Sequence, residues 1–287
     1  MAAGGEQRSS IIKKFADDTK WGAVVESAED RACFQAGLDS LQAWADTWQM
    51  QYNVDKCHIL HVGKNNRRHE YQLGGVTLES SKYEKDVGVI INDDLKPSLQ
   101  CAGAAAKANQ VLGQIARGVC FRDKDTMLRL YKTYVRPHLE YCQAAWSPWT
   151  LGDKRLLEQV QQRAVKLMTN LRSKTYEGKL EELGLTTLVE RRKRGDMITM
   201  YRIMTGKDRV VPGLWFTRPT PRSGAADTRQ NTGFLNVEKP PRSSNEVRRN
   251  QFSQRVVDDW NLLPDWVKKA ATVNSFKNSL DRYLYPR

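Results

Sequence analysis

Phe15-Ala16-Asp17-Asp18-Thr19-Lys20 is the stretch on which the fold turns. Ile11-Ile12-Lys13-Lys14 leads into it and Trp21-Gly22-Ala23-Val24-Val25 follows. Two β-prone runs separated by an aspartate pair predict a hairpin with the acids at its tip. Carboxylates held there suit a hard cation such as Mg²⁺, which binds through one or two carboxylates plus substrate phosphates. Adjacent aspartates by themselves also serve ordinary turns, where Asp hydrogen-bonds its own backbone. The weight of the pair therefore depends on its surroundings.

Outward from the hairpin, residues 28–50 carry Leu38, Leu41, Ala45 and Trp48 at helical spacing, with Glu29 and Asp30 at the start. Asn53-Val54-Asp55-Lys56 reads as a turn, and Cys57 through Val62 as a strand closed by Gly63. Tyr71-Gln72-Leu73 and Val76-Thr77-Leu78, joined by Gly74-Gly75, predict a second hairpin. Asp86-Val87-Gly88-Val89-Ile90-Ile91 reads as one strand.

After Pro97 the pattern becomes helical: 99–117, 123–135 with a stop at Pro137, 153–171, 180–183 and 188–204. Residues 206–248 are rich in Pro, Gly, Arg, Ser and Thr and read as a poorly ordered linker or long loop. A last helical stretch breaks at Pro264 and resumes over 273–284. The expected fold class is α+β. Its expected divisions are a leader (1–10), an α+β part (11–97), a helical region (98–205), the linker (206–248) and a C-terminal helical segment (249–287).

With 40% hydrophobic residues a core can form, while a mean hydropathy of −0.64 marks a polar chain without a membrane-length apolar run. The first ten residues lack the apolar core of a secretory signal, so a nuclear or cytoplasmic, non-secreted protein is expected. Five cysteines, none in a C-x-x-C pair, argue against a disulfide framework and fit a reducing compartment. The net charge of +13 is unevenly placed. Residues 1–97 hold 12 Lys/Arg against 15 Asp/Glu, whereas 98–287 hold 34 against 18. An acidic first third and a basic remainder suggest a metal-binding part and a polyanion-binding part, although basic surfaces are often only solubilising.

Several ordered segments together resemble the reverse transcriptase of non-LTR (LINE-type) retrotransposons, the jockey-like group. Phe15-Ala16-Asp17-Asp18-Thr19 looks like its catalytic F-A-D-D-T signature. Asn53 and Lys56-Cys57 are similar to its N-x-x-K-C motif. Glu84-Lys85-Asp86-Val87-Gly88-Val89 resembles its primer-gripping segment. Leu130-Tyr131-Lys132-Thr133-Tyr134-Val135-Arg136-Pro137-His138-Leu139-Glu140-Tyr141-Cys142 resembles its thumb signature. Glu158-Gln159-Val160-Gln161-Gln162-Arg163-Ala164 and Trp260-Asn261-Leu262-Leu263-Pro264 fit the region after the thumb.

The resemblance implies a partial polymerase palm over 11–97 and an all-α thumb beyond it. It implies that Asp17 and Asp18 ligate Mg²⁺ and that Lys56 attends the leaving pyrophosphate. Val87, Gly88 and Val89 would present backbone to the primer end, with template RNA and an RNA–DNA duplex as partners. Without the resemblance, Lys56 reads as a solvated turn lysine, and Val87 to Val89 as a buried strand with a glycine bulge.

Arg191, Arg192, Lys193 and Arg194 form a cationic run on a predicted helix, with Lys166, Arg172 and Lys174 upstream. It reads as a phosphate-contacting surface, the alternative being a solvated helix face. His58 and His61 fall on opposite faces of a strand, which disfavours zinc. Trp146, Trp149, Trp260 and Trp266 read as core or docking residues.

The family's palm also needs a third aspartate and fingers from further upstream. The expectation is therefore a truncated polymerase that does not act alone. The alternatives are a non-catalytic RNA- or DNA-binding remnant, or a translated fragment without a selected role.

Overall fold

The computed structural model describes residues 10–168, 171, 173–219 and 234–286. The expected leader, except Ser10, and the middle of the expected linker, 220–233, lie outside the described residues. The protein is a mixture of helix and strand, in line with the α+β expectation. It divides into two compact units, Met1–Leu95 and Lys96–Arg287.

The first unit opens with β1 (Ile11–Phe15) and β2 (Asp18–Gly22), an antiparallel pair joined by the two-residue turn Ala16-Asp17. Its register sets Ile12 against Trp21 and Phe15 against Asp18. Alternation along the strands then puts Ile12, Lys14, Thr19 and Trp21 on one face. That face meets α1 (Ala28–Thr47): Trp21 packs on Phe34 with ring centroids 5.2 Å apart, and Lys14 lies 5.5 Å over Trp44.

The indole of Trp21 sits directly on Gly37, where a Cβ would fall 1.6 Å from Trp21 Cη2. Its buried Nε1 has no hydrogen-bond partner among the described residues. A capping box starts α1. Asp30 N donates to Ser27 Oγ, and the Asp30 carboxylate accepts from Ser27 N at 2.9 Å. The helix ends short of residue 50. Trp48, expected on its apolar face, is exposed.

A 3₁₀ turn, Val54–Lys56, leads to β3 (His58–Leu60). The expected second hairpin forms as β4 (Gln72–Leu73) and β5 (Val76–Thr77). Gly74 and Gly75 both have positive φ there, as a type I′ turn requires. β6 (Glu79–Ser81) pairs parallel with β3.

The expected strand over 86–91 is corrected. It is the second half of a hairpin, β7 (Tyr83–Asp86) and β8 (Val89–Asn92), turning at Val87-Gly88. Both turn residues have positive φ, 45° and 82°. Leu38, Tyr71, Leu73 and Leu78 form the small core of this unit.

The second unit is helical. α2 (Ser98–Gly118) buries Cys101, Ala104, Ala105, Ala108 and Leu112, a stripe of mostly small side chains. α3 (Lys124–Leu130) does not stop before Pro137. It passes through a π-helical turn, Tyr131–Val135, into α4 (Arg136–Glu140). Arg136 N donates to Tyr131 O, five residues back, so the chain widens one residue before the proline that lacks an N–H.

Cys142 then takes a left-handed conformation ahead of α5 (Gln143–Trp146). α6 (Leu151–Lys166) lies against the α2 stripe with Leu157, Val160, Ala164 and Val165. At its centre the fully buried Gln161 accepts from Tyr131 Oη at 2.7 Å and donates to Thr186 O at 3.0 Å. Every buried amide group of this kind needs such partners. α7 (Tyr176–Leu183) and α8 (Leu188–Met204) follow, each entered through a threonine cap.

The remaining elements are a 3₁₀ turn, Pro212–Leu214, then α9 (Glu246–Asn250), α10 (Phe252–Arg255), α11 (Val257–Leu262), α12 (Asp265–Lys268) and α13 (Val273–Leu284). The described flanks of 206–248 do not run free, as a linker would. Phe216 and Val237 are buried in one cluster with Met200, Tyr201, Trp260 and Phe276. Val237 N donates to Asn261 Oδ1, Asn261 Nδ2 donates back to Val237 O, and Trp260 Nε1 donates to Leu235 O. A proline-rich composition conceals these apolar anchors. The expected helical regions 98–205 and 249–287 thus belong to one compact unit.

Candidate functional site

The first candidate is the tip of the β1–β2 hairpin. Asp17 occupies the turn and Asp18 opens β2 opposite Phe15, both exposed. Neither carboxylate has a hydrogen-bond or ion-pair partner among the described residues. Lys13 and Lys20 face each other just behind the tip, and Lys20 Nζ reaches Asp86 Oδ2 at 2.6 Å. That ion pair ties the aspartate hairpin to the end of β7, one residue before the Val87-Gly88 turn. Two of the four sequence-predicted groups, the aspartate pair and Val87 to Val89, thereby lie on hairpins joined to each other. In the second group Val87 is half exposed at the turn and Val89 is buried.

Lys56 is placed apart from this. It closes the 3₁₀ turn, exposed, and no hydrogen bond or ion pair joins it to Asp17 or Asp18. The neighbouring histidines go to separate partners. His58 Nδ1 lies 3.4 Å from Glu84, while the buried His61 ring meets Ser80 Oγ at 3.2 Å. Burial, reinforced by the Arg68 charge, holds His61 below its ordinary range, and burial pushes the Cys57 thiol up.

Two unpartnered, solvent-facing carboxylates are a donor set that fits one Mg²⁺ ion completed by water or phosphate oxygens. Among the described residues no group of three or more His, Cys, Asp or Glu converges. The two aspartates do not by themselves supply the ligands of a metal pair.

The second candidate is the cationic run on α8, whose four members take separate partners. Arg191 donates bidentately to Glu140, through Nε to Oε1 and through Nη2 to Oε2 at 3.1 Å. Arg192 is buried and donates to the carbonyls of Leu188 and Leu139, with its guanidinium 5.5 Å over Trp146. Lys193 lies 3.7 Å from Asp259, and Arg194 grips Asp281 with Nε and Nη2. The run divides between two faces of the helix: Arg191 and Arg194 share one, and Arg192 and Lys193 share another. Lys193 alone keeps a largely exposed side chain.

The contacts also reveal residues that charge counting missed. Arg136 lies 3.8 Å from Glu140, which it shares with Arg191. Arg136 is held below its ordinary range by burial and then by the Arg191 charge. For Arg191, burial pulls in the same direction, but the Glu140 carboxylate more than offsets it. The only sequence signal for this cluster was the Arg136-to-Glu140 stretch of the thumb-like segment, which gave no hint of its partner on α8.

The chain matches no protein-family model, and no curated protein and no solved structure is significantly similar to it. No helix among the described residues is long and apolar enough to cross a membrane.

Proposed function

We propose that the chain is a polypeptide of the LINE-type reverse transcriptase family, with the first unit as palm and the second as thumb and post-thumb region. The observation that carries the reading is the aspartate hairpin, two unpartnered carboxylates at its tip, tied through Lys20 and Asp86 to a second hairpin. In the family reaction, bound Mg²⁺ activates the primer 3′-hydroxyl and steadies the departing pyrophosphate. Asp17 and Asp18 hold the ion. The Val87-Gly88 turn, one residue from the Lys20 ion pair, offers backbone to the primer end. Lys56 is the least supported assignment, since nothing in its contacts directs it to the tip.

Because the described donors account for one ion, the purified chain is expected not to extend a primer on an RNA template. Mg²⁺-dependent extension abolished by Asp17→Ala would overturn that expectation. The ligand assignment has its own test. Mn²⁺ titrated into isotopically labelled protein should broaden the amide signals of the 15–20 stretch first. Asp17→Asn/Asp18→Asn should remove the effect. Broadening elsewhere, or none, would remove the hairpin from consideration.

A second reading, a non-catalytic RNA- or DNA-binding protein, is favoured by the 34 Lys/Arg against 18 Asp/Glu in 98–287. It predicts tight RNA binding that weakens steeply with salt while primer extension stays absent.

A further inference from the structure

A cleft of about 380 Å³ opens in the second unit, walled by the α4–α5 junction, α8 and α13. Glu140, Arg191, Arg194, Gly195, Thr199 and Lys277 line it. Three cations thus face one carboxylate across the opening, and that carboxylate is already shared by Arg136 and Arg191. Arg194 is matched by Asp281 from α13. Lys277 has no ion-pair partner among the described residues.

Charge is therefore in surplus, and hydrogen-bonding capacity is too. Arg191 and Arg194 each give Nε and Nη2 to a carboxylate, which leaves both Nη1 groups to donate elsewhere. Thr199 adds a hydroxyl on the same wall.

Lys132, which senses the same charges, lies below its ordinary range, first through burial and then through Arg136 and Arg191. Crowded cations with too few counter-charges raise a local positive potential, the condition that concentrates anions.

We infer that this cleft is a phosphate-binding site, with Lys277 and the free edges of Arg191 and Arg194 as its donors. Guanidinium edges and an ammonium match tetrahedral phosphate oxygens, which take several charge-assisted hydrogen bonds at once. The cleft is open to solvent, so the phosphate is one carried on a larger or a small soluble molecule. It lies wholly within the second unit and does not rest on the aspartate hairpin.

The experiment uses the full chain, a 5′-labelled RNA oligonucleotide and inorganic pyrophosphate as the probes, read by fluorescence anisotropy over a salt series. Lys277→Gln should weaken RNA binding roughly five-fold and lower the salt slope by about 1. Lys107→Gln, an equal loss of charge at an exposed position of α2, should leave both as in the wild type. Asp281→Asn releases the Arg194 fork and should tighten binding about three-fold, a gain that misfolding cannot imitate. Competition by pyrophosphate would mean that free phosphates are accepted. RNA binding that depends on Lys277 yet resists pyrophosphate would assign the nucleic-acid backbone as the source. The site is overturned if Lys277→Gln behaves like Lys107→Gln, or if Asp281→Asn leaves binding of both probes unchanged or weaker.

Discussion

The two units differ most in what lies behind their candidate residues. Behind the aspartate hairpin there is little: Trp21 seated on Gly37, next to a core whose buried members are Leu38, Tyr71, Leu73 and Leu78. Behind the Arg191–Arg194–Lys277 cleft there is the α8 core, with Tyr201, Trp260 and Phe276 at or below 1% exposure. In the first unit each sheet has two strands, and Ile11 and Phe15 stay more than half exposed. The comparison teaches that charge is cheap where nothing packs on it and needs partners where helices close over it. Asp17 and Asp18 are exposed and have no partner among the described residues, whereas Arg192, Asp196 and Lys268 are buried and each has a polar partner.

The sharpest way to break this contrast is to remove the anchor of the second unit. Trp260→Ala, at a fully buried position that also donates to Leu235 O, should cost about 4 kcal/mol in a urea titration. The far-ultraviolet transition should shift accordingly.

Gly37→Ala comes next. It places a methyl group inside the Trp21 ring and should destabilise the first unit by about 2 kcal/mol, after allowance for the better helix propensity of alanine. Differential proton exchange should show faster exchange in β1 and β2 while α8 stays protected.

A pH titration sharpens the other side. Lys268 is 1% exposed, and burial draws its ammonium down to about 8. Its folded-state value lies below the unfolded one, so the unfolded chain binds more protons between pH 8 and about 10.5. Stability should therefore rise with pH across that window, by on the order of 2 kcal/mol, and be lowest, for this group, below pH 8. In Lys268→Met the rise should vanish relative to wild type. An unchanged slope would mean that the Asn236 and Trp260 contacts fully compensate the charge.

The smallest effect belongs to the tip. Asp17→Ala removes an exposed side chain without partners among the described residues and should change the unfolding free energy by less than about 0.5 kcal/mol. A larger loss would show that the carboxylate holds the turn together rather than waiting for a ligand.

The sequence was most legible where structure is local. β1–β2 follows from two apolar runs around a short polar turn, β4–β5 from Gly74-Gly75, and α1 from the acids Glu29 and Asp30 ahead of an apolar stripe. It misled where geometry departs from habit. Valine rarely takes a positive φ, so Val87-Gly88 passed for the middle of a strand. Pro137 looked like a stop because the π-helical turn that accommodates it has no local signature. The candidate sites divide in the same way. Asp17 and Asp18 are adjacent and were read directly. The run at 191–194 was read as a surface because its partners, Glu140 and Asp281, lie 51 and 87 residues away. The basic cleft needs three separate helical segments to exist at all, and no window of sequence contains it.

The two-residue turn of β1–β2 carries one more consequence, and it concerns length rather than chemistry. Strand faces alternate with period two, so one residue added between Ala16 and Asp18 would slip the β2 register. Trp21 would leave Gly37 for solvent, and Lys20 would swing away from Asp86. A gene carrying this chain should therefore accept many codon substitutions at the tip, while in-frame insertions or deletions of a single codon there should detach the hairpin altogether.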